Sequence, residues 1–198
     1  DCDLVVLTTP NSVTGRLIPK ADLENIARIA STRKSFLVID EAFIDFIEAE
    51  SVKLLVRHNP YLIVLRSLTK YYALPGLRLG YLLAETGLAA RLAIYQEPWS
   101  VNAPALNVAL ACLNDAAFGT STNGWLGRER TFLTRRLAAV TGFSPFPSEA
   151  NFLLVKLDPT GPDALHLRSF LVRKKILIRT CDSFAVEALG AAAQPDRL

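Results

Sequence analysis

Three short apolar runs, Leu4–Leu7, Phe36–Ile39 and Leu62–Leu65, each break off abruptly at polar residues: Thr8-Thr9-Pro10-Asn11, Asp40-Glu41 and Arg66-Ser67. A strand with one wet face alternates apolar and polar positions. A run without alternation fits a strand buried on both faces, as in parallel sheets. Between the runs the period changes: Leu23, Ile26, Ala27 and Ala30 recur at helical spacing from Ala21. Ser51 is suited to N-cap a short helix carrying Leu54 and Leu55. Leu77–Leu83 reads as a fourth strand, interrupted by Arg78 and Gly80. The pattern predicts an α/β domain, a mostly parallel sheet with helices on both faces. Ligands of such sheets bind beyond the carboxyl ends of the strands, where Asn11, Asp40 and Ser67 to Lys70 fall.

The second half reads differently. Pro104–Leu113 and Trp125–Val140 are long helical patterns, the latter with Arg128, Arg130, Arg135 and Arg136 on its wet side. Phe152–Val155 reads as a strand, Ala164–Lys174 as a helix and Ile176–Ile178 as a last strand. The expected organisation is a sheet domain over 1–103, then a connecting helix and smaller α+β domain over 104–198. The Ala-rich tail from Ala185 is weakly patterned.

Composition narrows the function classes. With 51% hydrophobic and 21% charged residues the chain is of folded, not disordered, type. A net charge of +3 does not suggest a nucleic-acid surface, and no apolar run approaches the ~20 residues that span a bilayer. Cys2, Cys112 and Cys181 lie far apart, and with His58 and His166 they leave little scope for a metal site. There is no methionine, and a strand begins almost at once. The chain is therefore expected to start inside a larger protein, with part of its active site upstream.

The stretch from Arg66 to Tyr81 carries the chemistry. A lysine just past a buried strand, flanked by Ser67 and Thr69 and followed by Arg78, is suited to forming a Schiff base when partly desolvated. The two hydroxyls and the guanidinium suit a phosphate. Asp40 ends a buried run and needs a partner, for which a protonated pyridine nitrogen would serve. Asn11 can donate to a ligand oxygen. Taken singly, each residue has an ordinary alternative: a solvated lysine, a capping aspartate, a turn asparagine. Together they converge on one sheet edge.

These segments resemble the fold-type I pyridoxal phosphate (PLP) enzymes of the aminotransferase class I/II superfamily. The resemblance is carried by Pro10-Asn11 with Thr14-Gly15, Val38–Phe46, Val64–Leu83, Pro98–Ala103, Ala150–Leu154 and Ile176–Cys181. Asp40-Glu41-Ala42-Phe43-Ile44-Asp45-Phe46 and Pro98-Trp99-Ser100-Val101-Asn102 point to the branch that decarboxylates L-threonine O-3-phosphate in cobalamin biosynthesis. Histidinol-phosphate aminotransferases are the near relatives.

The resemblance implies that Lys70 holds PLP covalently and shuttles protons, and that Asp40 pairs with its ring nitrogen. It further implies that Asn11 bonds the ring's 3-oxygen, that Ser67, Thr69 and Arg78 hold the cofactor phosphate, and that Asn151 and Arg179 face a phosphorylated amino-acid substrate. Phe43 stands where the superfamily commonly has a tyrosine. A cytoplasmic homodimer is implied, binding neither nucleic acid nor membrane. The same residues serve decarboxylation or transamination. A third reading, a catalytically incompetent fragment of the fold, follows from the missing upstream glycine-rich loop and from Val186–Gly190, which replace an arginine-bearing strand.

Overall fold

The computed structural model describes residues 2–181. Four strands, β1 (Leu4–Thr8), β2 (Phe36–Asp40), β3 (Leu62–Ser67) and β4 (Gly80–Ala84), form one sheet in that order. β1, β2 and β3 are parallel, with Thr8 opposite Asp40 and Asp40 opposite Leu65. β4 returns antiparallel, Ser67 facing Gly80.

Helix α1 (Lys20–Arg33) crosses from β1 to β2. Its first backbone amide donates to Glu50 Oε2 at 3.2 Å, and it ends at Lys34 in the left-handed conformation. Its inward residues Leu23, Ala27 and Ala30 join Leu37, Ile39, Leu62 and Val64 from the strands in one buried cluster. Val52 and Val56, flanking and within a 3₁₀ segment at Lys53–His58, complete it. Val52 flanks that segment, but Ser51 Oγ makes the capping bond expected of it, accepting from Lys53 N–H at 3.2 Å, while its hydroxyl donates to Glu41 Oε2 at 2.6 Å.

Helices flank this mixed sheet as expected, and α1 covers the face of the buried cluster. Strand alternation puts Leu4, Val6, Val38, Ile63 and Leu82 on the other side. There Leu4 is 52% and Val6 61% exposed, while Val38 and Ile63 are half-buried.

The fourth strand begins three residues later than expected. Leu77 closes a 3₁₀ turn at Pro75–Leu77, and Arg78 at φ +52° breaks the extended path. α2 (Leu68–Tyr71) is a single turn between β3 and β4, and beyond β4 come α3 (Thr86–Ala93), α4 (Ala103–Asn114) and α5 (Ala116–Ala138). α5 starts nine residues before Trp125, because Gly119, Gly124 and the Ser/Thr run mask it with poor helix formers.

The chain forms two compact units. One runs to Thr131 and takes in Pro147–Leu153; the other comprises Phe132–Phe146 and the chain from Leu154 onward. In the second unit β5 (Phe143–Pro145) pairs antiparallel with β6 (Val155–Leu157), and α6 (Ala164–Arg173) follows. The strand expected at Phe152–Val155 is thus displaced. Phe152 packs edge-on against Phe43 instead, at 5.4 Å between ring centres. The strand expected at Ile176–Ile178 does not form: Ile176 N–H turns back to Leu171 O, and Leu177 is 82% exposed with no strand beside it. The divergent Val186–Gly190 lies outside the described residues. Among those described, no helix is long and apolar enough to cross a membrane.

Candidate active site

Parallel pairing brings the ends of β1, β2 and β3 to one edge, so Asn11, Asp40 and the Ser67–Lys70 segment share it. β3 passes directly into α2. Ser67 is its N-cap, accepting from Thr69 N–H, and this sharp turn projects Lys70 from the single helical turn. Lys70 Nζ donates to Ser67 Oγ at 3.2 Å and lies 5.6 Å from the centre of the Phe43 ring, within cation–π range. Ser67 Oγ and Thr69 Oγ1 are 2.7 Å apart, with Thr69 buried.

Asp40 is half-buried; its Oδ1 accepts from Ala42 N–H at 2.9 Å, which orients the carboxylate and leaves Oδ2 for a ligand. Asn11 follows a cis Thr9–Pro10 peptide. Its Oδ1 accepts from Val13 N–H, Thr14 N–H and Thr14 Oγ1 at 2.9–3.1 Å. With the oxygen committed, the side chain's remaining capacity is to donate from its amide nitrogen.

That Asn11 turn is latched to the Pro147–Leu153 segment. Glu149 N–H donates to Gly15 O at 2.8 Å, and Glu149 accepts an ion pair from Arg130 of α5 at the same distance. Arg130, expected on a wet face, is therefore half-buried and bound. Gly15 sits at φ +72°, and a Cβ there would come 1.9 Å from Ser148 Oγ.

Asn151, two residues beyond Glu149, lines a cleft of about 330 Å³ together with Lys70. The cleft's other wall is Phe46, Tyr71 and one face of α5: Phe118, Ser121, Thr122 and Trp125. Sequence reasoning missed these α5 residues; their 0, 3, 4, 7 spacing was the available signal. Among the described residues, two of the expected ones make no hydrogen bond to the hydroxyls or the cleft residues. Arg78 is exposed, its guanidinium donating to Pro75 O at 3.3 Å and to neither hydroxyl. Arg179 is exposed and belongs to the second unit.

Behind the edge lies a charge cluster the sequence reading also missed. Arg66, 5% exposed, binds Glu41 Oε2 at 3.3 Å and Asp45 Oδ1 and Glu48 Oε2 at 2.6 Å each. Lys53 also pairs with Glu48. Burial pushes the Glu41 and Asp45 carboxyls up from their ordinary values, against the opposing pull of their hydrogen bonds and of Arg66. Burial acts on Glu48 too, but bonds from Arg66 and Lys53 outweigh it and hold that carboxyl low.

A parallel sheet edge carrying an amine, an acid, an amide and paired hydroxyls beside one cleft matches a known class. Residues 1–194 match the model of aminotransferase class I and II, and the chain belongs to that family. It is 38% identical over 207 residues to the threonine-phosphate decarboxylase of Salmonella typhimurium, covering 100% of this chain and 56% of that protein. The histidinol-phosphate aminotransferase from Clostridium acetobutylicum superposes with TM-score 0.84 at 30% identity, over 90% of this chain and 54% of that one. That of Sinorhizobium meliloti, solved in complex with pyridoxal-5'-phosphate, gives TM-score 0.74 at 26% identity, over 90% and 49%. The family is PLP-dependent, and this chain spans about half the length of these relatives.

Proposed function

We propose that this chain is the part of a threonine-phosphate decarboxylase that supplies the PLP-attaching lysine. The observation that carries this reading is the placement of Lys70, Asp40 and Asn11 at one strand edge. The donor chemistry fits the cofactor. Lys70 offers a primary amine for the aldehyde. Asp40 offers a carboxylate with one oxygen uncommitted, for the ring nitrogen. Asn11 offers an amide donor for the 3-oxygen, and Ser67, Thr69 and Arg78 offer hydroxyls and a cation for the phosphate. When bound, PLP supplies an electron sink for the bond broken at the substrate's α-carbon.

The chain's own residues then hold, orient and move protons. Lys70, held by Ser67 and facing Phe43, delivers or removes the proton at the α-carbon. Asp40 keeps the ring nitrogen protonated through a charge-assisted hydrogen bond. Asn151 and Arg179 are the proposed substrate contacts, Arg179 taking a carboxylate or phosphate. Positioning by these residues would decide the outcome, presenting the substrate's carboxylate for loss in decarboxylation or its α-hydrogen for removal in transamination.

The 38% identity to a threonine-phosphate decarboxylase supports the decarboxylase reading. The likeness to histidinol-phosphate aminotransferase supports transamination as the second. Incubating the purified protein with each phosphorylated substrate separates them. Decarboxylation releases carbon dioxide without a keto-acid acceptor, whereas acceptor-dependent turnover without carbon dioxide overturns the first reading. A homodimer is part of the proposal, supported by the exposed apolar residues Tyr95, Trp99, Leu106, Leu110 and Leu113. Sedimentation giving a monomer at micromolar concentration contradicts it.

A further inference from the structure

β2 and β3 end side by side, and alternation sends the residues at their ends to opposite faces. Asp40 and Ser67 take the face of the site, Glu41 and Arg66 the reverse. Glu41 N–H extends the ladder to Leu65 O at 2.9 Å, so it holds strand register although β2 has ended. On the reverse face its Oε2 meets Arg66 Nη1 at 3.3 Å and its Oε1 accepts from Val52 N–H at 2.8 Å. Arg66 then reaches Asp45 and Glu48, closing the 41–50 loop against β3.

None of these charged groups lines the cleft of Lys70. Each is nevertheless one peptide from a site residue, Glu41 from Asp40 and Arg66 from Ser67. The loop they close carries Phe43, beside the Lys70 ammonium, and Phe46, a cleft wall packed 5.1 Å from Tyr71. Buried ion pairs are a poor source of stability, since apolar replacements of similar volume are often neutral or better. They are a good source of fixed geometry, because breaking either partner leaves a charge with no solvent.

We propose that the Arg66–Glu41 pair is a positioning brace: from behind the sheet it sets the Lys70 amine against Asp40 and Phe43. The inference rests on the reading of Lys70 as the amine that condenses with PLP, and its test separates the two. The purified protein is incubated with PLP, reduced with borohydride and digested, and the label on Lys70 is measured against that on exposed Lys34 by peptide mass spectrometry. A parent protein labelled no more at Lys70 than at Lys34 overturns the reading of Lys70, and the brace with it.

If the parent labels Lys70 selectively, the apolar pair Glu41→Leu with Arg66→Leu, folded by circular dichroism, is expected to lose at least tenfold of the Lys70 label with Lys34 unchanged. Arg66→Lys, which keeps a cation against Glu41, is expected to recover most of it. A purely structural role moves the melting temperature but not this ratio. Unchanged Lys70 labelling in the folded pair overturns the brace. Should the pair not fold, Ser51→Ala, which frees Glu41 of one tie, is expected to cut the ratio about threefold, and no change there overturns the brace equally.

Discussion

The Lys70 ammonium lies 5.6 Å from the centre of the Phe43 ring, which sits at the foot of the loop following Asp40. A cation over an aromatic face is worth about 0.5–1 kcal/mol at a partly exposed site. Phe43→Leu keeps the apolar volume and removes the ring's charge distribution. It is expected to weaken PLP retention roughly two- to fivefold, measured by equilibrium dialysis, without lowering the melting temperature by more than a degree or two.

Asp40→Asn tests the acid across the edge. The asparagine oxygen still accepts from Ala42 N–H, so the turn is preserved. The amide cannot hold a proton on a ring nitrogen, and a charge-assisted hydrogen bond of about 2 kcal/mol is lost. Turnover is expected to fall at least about thirtyfold with circular dichroism unchanged. Wild-type turnover in this variant removes Asp40 from the site.

Gly15→Ala meets two obstacles at once. Its φ of +72° costs an L-residue about 1–2 kcal/mol, and the added methyl overlaps Ser148 Oγ. Chemical denaturation is expected to show a loss of about 3 kcal/mol. Because Gly15 O anchors Glu149, the damage should reach Asn151: the Michaelis constant rises even at temperatures where the variant is fully folded.

Glu48→Gln has a definite pH signature. A carboxyl held low by Arg66 and Lys53 stabilises the fold above its unfolded value and loses that contribution as pH falls through its folded one. At pH 7 the variant is expected to be less stable by about 1 kcal/mol, a modest figure because the glutamate is partly exposed and screened. The gap should narrow once the pH drops below the ordinary glutamate value of 4.5. Glu41 and Asp45, held high by burial, shift stability the opposite way, but they are present in both proteins. A gap that stays constant down to pH 3 contradicts the assignment.

Much of this was legible in the residues. Unbroken apolar runs require burial, and a sheet edge follows from where they stop, so β1, β2, β3 and the placement of Asn11, Asp40 and Lys70 could be read directly. What could not be read depends on partners distant in sequence. Arg66 looks like an ordinary strand-end cation until Glu41, Asp45 and Glu48 fold onto it. Ser121 and Thr122 look like weak helix formers until α5 turns them toward Lys70. Ile176–Ile178 has β-propensity, but a strand needs a neighbour to bond, and the chain turns back onto α6 instead.

The polypeptide passes from one compact unit to the other at 131/132, at 146/147 and again at 153/154. A single nick at any one of these joints leaves two covalent tethers, and no single truncation point yields either unit whole. Dissecting this molecule by limited proteolysis therefore calls for three cuts, or for a rewired gene that grafts Pro147–Leu153 back beside Thr131.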